Sequence, residues 1–338
     1  MPELPEVETV RRRLLTCLPG LLVRDVVVND ATVSEQGEAE LRALLAGRRV
    51  RNLRRRGKYL IVDLEARRDD EAAGDAHAAD HKRDPSIARR AGAGSGAVRP
   101  PAGPTVAVIH LRMTGQMLFR PEPGERPPRF TWLLDPGTEL HFQDVRRFGR
   151  LWAFPPEAED AFFEGMGPEP FSGAFSVAYL RGALEGRRAP LKAFLLDQRR
   201  VAGVGNIYAD EALFRARLHP LRAAGSVGPR EAQRLHAALL ETLQDGIDHE
   251  GSSIESFIDP AGRRGSFQEM LNVYQRTGQP CRVCGTAINR LEVGGRGTHY
   301  CPSCQPRRGG MSRGSRRLRG SRVPPRSGKP PDWEPPDL

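Results

Sequence analysis

Runs of apolar residues between turns predict a β-rich first half of the chain that begins with one helix. The helix is predicted over residues 4–16, with Pro5 in the first turn, a position that suits proline. Three acidic side chains lie where they complement the positive end of its dipole: Glu3, Glu6 and Glu8. β-Branched and aromatic residues predict strands in six segments: 21–29, 48–64, 105–119, 130–134, 139–143 and 150–154.

The second half of the chain has helical patterns followed by a small ribbon. Four helices are predicted: 176–185, 189–198, 206–216 and 229–248. A glycine-rich turn, Gly203-Val204-Gly205-Asn206, separates the second of them from the third. The resulting domain prediction is α+β, with boundaries at 1–154 for the β-rich domain, 155–275 for the helical domain, 276–304 for the ribbon and 305–338 for a tail.

Two segments are predicted to be disordered. Residues 66–104 consist of Ala, Gly, Asp, Arg and Pro with almost no large apolar residues, so they cannot bury enough surface to offset their ordering entropy. Residues 305–338 are rich in Pro, Arg and Gly and form a predicted basic tail.

Charge favours an anionic partner, with nucleic acid first. The formal net charge is +10, but the tail carries nine Lys/Arg against three acids and so supplies +6 of it. No stretch approaches the roughly 20 apolar residues of a membrane span, and the acidic N-terminus is unlike a signal peptide. A cytoplasmic protein that does not enter the membrane is the expectation.

Four of the five cysteines have the spacing of a zinc site. Cys281-x2-Cys284-x16-Cys301-x2-Cys304 can bring four thiolates to one tetrahedral ion, which leaves no open position and makes the zinc structural. The alternative is a set of reduced, buried cysteines. Between the two pairs, Arg296 is flanked by glycines, in a turn suited to entering a groove.

The first residues have unusual chemistry. Removal of Met1 would expose Pro2 as a secondary amine, and an α-amino group has a pKa of about 8, against about 10.4 for lysine, so far more of it than of a lysine is unprotonated at neutral pH. Such an amine can form a Schiff base, with Glu3 as a proton shuttle. Chemistry alone leaves a second interpretation open, in which this segment is only the acidic start of a helix.

Six motifs and the cysteines together resemble the formamidopyrimidine-DNA glycosylases. The motifs are Pro2-Glu3-Leu4-Pro5-Glu6, Lys58-Tyr59-Leu60, His110-Leu111-Arg112-Met113-Thr114-Gly115, Asp144-Val145-Arg146-Arg147-Phe148-Gly149, Gly167-Pro168-Glu169-Pro170 and Gly203-Val204-Gly205-Asn206-Ile207-Tyr208. The resemblance covers residues 1–65 and 105–304. It implies an N-terminal helix with a β-sandwich, a helical domain containing a helix-two-turn-helix, and a C-terminal zinc ribbon.

The resemblance also implies catalytic roles. Pro2 would attack C1′ of the damaged nucleotide, and Glu3 would donate a proton at the sugar. Lys58 would serve in β-elimination near the phosphate of the damaged strand. Arg296 would serve in δ-elimination and contact phosphate, and Glu6 would support the site.

Three further residues match those that fill the gap left by a flipped-out nucleotide. Chemistry on C1′ requires extrusion of the base, and the hole needs apolar wedges and a donor for the orphaned partner base. Met113 and Phe148 would intercalate, and Arg146 would read the opposite cytosine. These residues are called the void-filling trio below.

Other DNA contacts are implied at Asn206, Arg188 and Lys192. Residues 259–266 match a mobile loop that closes over oxidised guanine. Family members often have histidines just before the strand at 130–134, where this chain has Arg129, so Arg129 is expected to take over their phosphate contact.

The implied function is excision of oxidised purines (8-oxoguanine, formamidopyrimidines) from double-stranded DNA by a monomer with one structural zinc and no organic cofactor. An alternative is a sister glycosylase of the endonuclease VIII type, which acts on oxidised pyrimidines and typically begins Pro-Glu-Gly-Pro-Glu. Another is a non-catalytic zinc-ribbon DNA-binding protein, against which the presence of Pro2, Glu3 and Lys58 argues.

Overall fold

The computed structural model describes residues 1–66, 103–121 and 127–307. Most of the predicted insertion 66–104 and of the predicted tail 305–338 lies outside these residues. Gln305 belongs to the ribbon, which corrects the predicted start of the tail. It is fully buried and donates a hydrogen bond to the Leu218 carbonyl at 2.9 Å.

The described residues contain seven α-helices and ten strands. The helices are α1 Leu4–Leu15, α2 Glu38–Leu45, α3 Glu159–Phe162, α4 Val177–Leu184, α5 Leu191–Leu196, α6 Asn206–Arg215 and α7 Pro229–Asp248. The strands are β1 Leu22–Val28, β2 Arg48–Arg56, β3 Tyr59–Ala66, β4 Thr105–His110, β5 Gly115–Phe119, β6 Phe130–Leu134, β7 Thr138–Asp144, β8 Arg150–Phe154, β9 Asn289–Val293 and β10 Arg296–Tyr300.

Several predicted elements are confirmed, and the structure differs from the prediction at two strands and at two helices, α2 and α3. The predicted strands 48–64 and 105–119 are each two strands, because a two-residue turn at Gly57 and a loop over 111–114 reverse the chain. Helix α2 was not predicted. Its Leu41 and Leu45 are fully buried against the sheet domain, so packing rather than local pattern stabilises it.

The sheet domain is a sandwich built from one antiparallel sheet. Its eight strands run in the order β5-β7-β6-β1-β2-β3-β4-β8. Strands β1 and β2 pair through only two residues each, so the sheet divides there into two four-stranded halves. Both halves contribute to one core, with Trp132 and Phe142 from one half and Leu60 and Ile109 from the other. The predicted sandwich is confirmed.

Helix α1 joins this sandwich to the helical domain. Its Val7, Val10 and Leu14 belong to the sandwich core, whereas Leu4 belongs to the core of the helical domain. The residue just before α1, Glu3, therefore lies where the two cores meet. The ribbon packs on Phe214 of α6 through a small third core, to which it contributes Cys281, Ile288 and Cys301. No helix among the described residues is long and apolar enough to cross a membrane.

Candidate active site

A pocket of about 280 Å³ opens at the junction of the sandwich, the helical domain and the ribbon. All three parts contribute residues with predicted roles, four of them catalytic and two of them, Met113 and Asn206, DNA contacts. These lining residues are Pro2, Glu3, Lys58, Met113, Asn206 and Arg296. The structure therefore brings together residues that lie almost 300 positions apart in the chain.

Glu3 is the buried acid of this pocket, with 2% of its surface exposed. Its Oε1 accepts a hydrogen bond from the Ile207 N–H at 2.9 Å, while Oε2 has no partner among the described residues. A Cβ on Gly205 would stand 2.3 Å from the Glu3 carboxyl carbon, so only glycine fits beneath it. Burial raises the pKa of Glu3 to about 7, although the Lys58 charge opposes this rise. Glu3 is thus able to gain or lose a proton near neutral pH.

Lys58 lies in the hairpin turn between β2 and β3 and is also buried. Burial lowers the pKa of its ammonium, against the opposing effect of the Glu3 carboxylate. The turn is fixed from the helical domain, because Glu169 accepts hydrogen bonds from the Gly57 N–H and from Arg55, the latter at 2.7 Å. Glu169 of the Gly-Pro-Glu-Pro motif therefore holds the Lys58 turn in place.

Glu6 holds the start of α1. One oxygen accepts the Glu3 N–H at 2.8 Å, and the other accepts the Tyr208 hydroxyl at 2.7 Å and the Ser252 N–H at 2.8 Å. With both oxygens engaged in this way, Glu6 positions Glu3 and the segment after α7.

Pro2 is buried in the pocket wall, and Met1 precedes it with its amino group 3.5 Å from Glu255 Oε2. While Met1 is attached, the Pro2 nitrogen is an amide nitrogen and has no lone pair free for attack. The amine that the sequence predicts as nucleophile therefore requires removal of Met1.

Arg296 is presented by a tight turn of the ribbon. Gly294 and Gly295 have φ values of +56° and +74°, which favour glycine and give the hairpin geometry that joins β9 to β10. The carbonyl of Gly297, the residue after Arg296, accepts a hydrogen bond from Asn206 Nδ2 at 3.1 Å. Asn206 Oδ1 is buried and, within the described chain, has no partner, so it remains available inside the pocket region.

Lys192 does not face outward, contrary to its predicted role as a DNA contact. Its side chain is fully buried, and Nζ forms an ion pair with Asp210 at 2.7 Å. Nζ also donates to Thr298 Oγ1 at 2.9 Å and to the Gly297 carbonyl at 3.1 Å. Since the same Asp210 accepts the His299 N–H, this ion pair fastens the Arg296 hairpin to the helical domain.

The void-filling trio lies on two adjacent loops at one edge of the sandwich. Met113 is in the β4–β5 loop, and Arg146 and Phe148 are in the β7–β8 loop. Phe148 has 47% of its surface exposed, an unusual position for a phenylalanine. The Arg146 guanidinium carbon lies 5.1 Å from the centre of the Phe148 ring. The structure therefore places the three residues close together and presents Arg146 and Phe148 to solvent.

Arg129 also departs from its predicted role. Only 4% of it is exposed, and its guanidinium is 2.8 Å from Asp30 Oδ2 and 2.7 Å from the Gly149 carbonyl. A guanidinium held in this way inside the sandwich is not placed to contact phosphate. Arg188, in contrast, is exposed in the loop between α4 and α5.

The loop 259–266 packs against the sandwich. Its Asp259 is buried and lies 3.2 Å from Arg13 of α1, and the Pro260 carbonyl accepts the Phe119 N–H of β5 at 3.0 Å. The pocket wall itself comes from the preceding residues, which no sequence motif singled out. They are Ser252, Ile254, Glu255, Ser256 and Phe257, joined by Tyr274.

The four ribbon cysteines form a compact cluster. Their Sγ atoms all lie within 4.8 Å of one another, with 3.9 Å between Cys281 and Cys304 and 3.5 Å between Cys284 and Cys301. Tetrahedral zinc with Zn–S bonds of about 2.3 Å requires S–S separations of about 3.8 Å, whereas a disulfide would need about 2.0 Å. The cluster fits one structural zinc ion.

Comparison with known proteins gives consecutive matches along the chain. The models that match describe the formamidopyrimidine-DNA glycosylase N-terminal domain over residues 1–151, its H2TH domain over 166–258 and a zinc finger over 278–307. The chain belongs to the formamidopyrimidine-DNA glycosylase family. The resemblance inferred from the sequence, the fold class and the zinc site are thereby confirmed.

Individual members of the family agree with this assignment. Formamidopyrimidine-DNA glycosylase of Pelotomaculum thermopropionicum is 40% identical over 90% of this chain and 99% of its own length. The crystal structure from Thermus thermophilus has a TM-score of 0.71 with 40% identity, covering 90% and 98% of the two chains. A Lactococcus lactis variant in complex with DNA containing Fapy-dG has a TM-score of 0.75 with 30% identity, covering 90% and 100%.

Proposed function

We propose that this protein is a base-excision repair glycosylase and abasic-site lyase that removes oxidised purines from double-stranded DNA. The observation that carries the proposal is the pocket, in which Glu3, with a pKa near neutrality, and Lys58, with a lowered pKa, lie beside Pro2. Perturbed acid and base groups in one cleft are typical of catalytic sites. The Lactococcus lactis relatives, solved with Fapy-dG DNA and with abasic-site DNA, support a DNA substrate of this kind.

The proposed reaction begins when the Pro2 amine, freed of Met1, attacks C1′ of the damaged nucleotide. The N–C1′ bond forms as the base leaves with the electrons of its glycosidic bond and takes up the proton that the amine loses. Glu3, whose pKa burial raises to about 7, donates a proton to the ring oxygen O4′, and the C1′–O4′ bond breaks to give an iminium at C1′. The resulting iminium acidifies the C2′ proton. Loss of that proton expels the 3′-phosphate, and a second elimination expels the 5′-phosphate. Lys58 would assist the first elimination, and Arg296 the second.

Access to C1′ requires the nucleotide to leave the helix. The exposed Phe148 and the neighbouring Met113 would occupy the vacated space, and Arg146 would donate to the partner base. Lys192 and Arg129 have no part in these contacts, because both are buried in ion pairs. The proposed enzyme acts as a monomer, since one chain supplies the pocket with its acid, its amines and its arginine. The proposed location is the cytoplasm, where its DNA is.

Borohydride trapping tests the proposal directly. The processed protein should form a covalent adduct with duplex DNA containing 8-oxoguanine, and the adduct should map to an N-terminal peptide that lacks Met1. A matched protein with an uncleaved N-terminal tag should bind the same DNA but neither trap nor cut it. If the tagged protein, shown by mass spectrometry to be intact, cleaved the DNA at the normal rate, the nucleophile would have to be another amine. Lys58 would be the first amine to test.

A second candidate substrate class is oxidised pyrimidines. It is favoured by one observation, that a Lactococcus lactis relative of 30% identity was solved with oxidised pyrimidine DNA. Competition between duplexes containing 8-oxoguanine and an oxidised pyrimidine separates the two classes. A higher kcat/KM for the pyrimidine would replace the proposed substrate while leaving the chemistry at Pro2 unchanged.

A further inference from the structure

A buried cluster of three charged side chains lies beneath the loops that carry the void-filling trio. Asp30 follows β1, Arg129 precedes β6 and Asp144 ends β7, so three separate points of the sandwich edge meet here. All three residues are less than one-tenth exposed. This cluster is called the loop pedestal below.

Asp144 ties the two loops to each other. Its Oδ1 accepts hydrogen bonds from the Thr114 hydroxyl and from the Arg146 N–H, the latter at 3.2 Å. Its Oδ2 accepts the Gly149 N–H at 2.6 Å. Thr114 is the neighbour of Met113, and Gly149 is the neighbour of Phe148. The Asp144 carboxylate therefore holds Arg146 itself and a residue next to each of the other two members of the trio.

Arg129 holds the same loop from the opposite side. It donates to the Gly149 carbonyl at 2.7 Å and to Thr32 at 2.9 Å, and it pairs with Asp30 at 2.8 Å. Its Nη1 also lies 3.5 Å from Asp144. A planar guanidinium with five donors can meet several acceptors at fixed angles, whereas the single ammonium of a lysine cannot hold the same geometry.

The loop needs such support because its backbone is strained. Arg147, between Arg146 and Phe148, has φ +59°, a left-handed conformation that costs energy for any residue other than glycine. Its guanidinium donates to Asp30 at 2.8 Å, which closes the network. That hydrogen bond, foremost among several, holds the pKa of Asp30 well below its usual range, so Asp30 stays ionised.

We propose that Arg129 is a positioning residue that, through the loop pedestal, sets the geometry of the void-filling trio and with it the preference for the base opposite the lesion. The inference rests on the proposed function, because it assigns Arg146 to the partner base. It replaces the phosphate contact predicted for Arg129 with a role in specificity. Reading a base edge depends on hydrogen-bond alignment, so a displaced loop reduces discrimination before it abolishes binding.

The test compares affinities for duplexes that carry a stable abasic-site analogue opposite cytosine or opposite adenine. Arg129→Met should reduce the ratio of these affinities by about tenfold, which is within the discrimination that one well-aligned base contact supplies. Arg129→Lys should retain part of the ratio. A purely structural role would lower the folded fraction and hence both affinities equally, leaving their ratio at the parent value.

Arg54→Met is the matched control. Arg54 also bridges two carboxylates, Asp63 and Glu159, but neither belongs to the two loops. The ratio of the two affinities should be the same for Arg54→Met as for the parent. If Arg129→Met does not fold, Arg129→Lys and Thr114→Val decide the matter, since Thr114→Val removes only the bond from the β4–β5 loop.

An unchanged ratio in a folded Arg129→Met protein, or in both substitute variants, would overturn the proposal. Failure of the proposed function looks different. The parent would then neither trap nor cut damaged DNA, whereas its affinities for the analogue duplexes remain measurable.

Discussion

The active-site pocket and the loop pedestal both contain buried charged groups. They differ in whether every oxygen of these groups has a hydrogen-bond or ion-pair partner. In the pocket, Glu3 has an oxygen without a partner among the described residues, and its pKa is raised to about 7. In the pedestal, Asp30 is paired with two arginines and its pKa is lowered. Incomplete pairing leaves a group able to change its protonation state, and complete pairing prevents such a change.

The difference matches the role proposed for each region. A group that transfers protons must have a pKa near the working pH, so its site keeps one oxygen free of fixed donors. A group that positions others must keep its charge and geometry under all conditions. The pedestal therefore presents Arg146 and Phe148 on a rigid base while remaining chemically inert itself.

The largest expected effect is at Glu3. Glu3→Gln keeps the size of the side chain but removes the transferable proton, so the single-turnover rate of base excision should fall by about 10²- to 10⁴-fold. Glu255→Gln, the same change at an exposed pocket residue, should have a far smaller effect. Equal losses in the two variants would show that Glu3 has no special role as an acid.

Lys192 extends the comparison, because it is a fully paired charge close to the pocket. Lys192→Met leaves Asp210 buried without its counter-ion and should reduce the free energy of unfolding by about 3–5 kcal/mol, measured by urea denaturation. The double variant with Asp210→Asn should recover part of the loss. A loss below about 1 kcal/mol would be typical of a surface ion pair and would contradict the assigned burial.

Glu3 should also make stability depend on pH. Its folded-state pKa of about 7 exceeds the ordinary 4.5, so the folded state binds the proton more tightly and stability falls as pH rises from 4.5 through 7. Relative to the parent, Glu3→Gln should gain about 2–3 kcal/mol between pH 5 and pH 8. Urea unfolding of both proteins at several pH values measures this gain, and parallel curves would mean that the pKa of Glu3 is not raised.

The smallest expected effect is at Arg146. Arg146→Ala should reduce discrimination between cytosine and adenine opposite the lesion by about 1–3 kcal/mol, because the hydrogen bonds proposed between Arg146 and the partner base would be lost. Arg188→Ala is the control, since loss of this exposed, predicted DNA contact is expected to weaken binding to both duplexes alike. Cleavage assays measure this preference for the opposite base. If Arg188→Ala changed the preference and Arg146→Ala did not, the roles assigned to Arg146 and Arg188 would have to be exchanged.

Local signals in the sequence were sufficient for most elements and for the zinc ligands. Strands 130–134 and 150–154 and helix 229–248 were predicted with their observed bounds, because period and turn residues are short-range properties. The zinc ligands followed from the spacing of four cysteines, which a small ribbon can place around one ion without help from the rest of the chain.

Only the tertiary structure decided which charged residues are exposed and which are buried. Lys192 and Arg129 are basic residues of the kind that contact DNA. Each is nevertheless buried against a carboxylate from another segment of the chain, Lys192 against Asp210 and Arg129 against Asp30. The roles of Asp144 beneath the void-filling trio and of Glu169 beneath Lys58 were likewise absent from every local pattern. Burial and ion pairing depend on which distant segments the fold brings together, and a pattern of neighbouring residues contains no record of that.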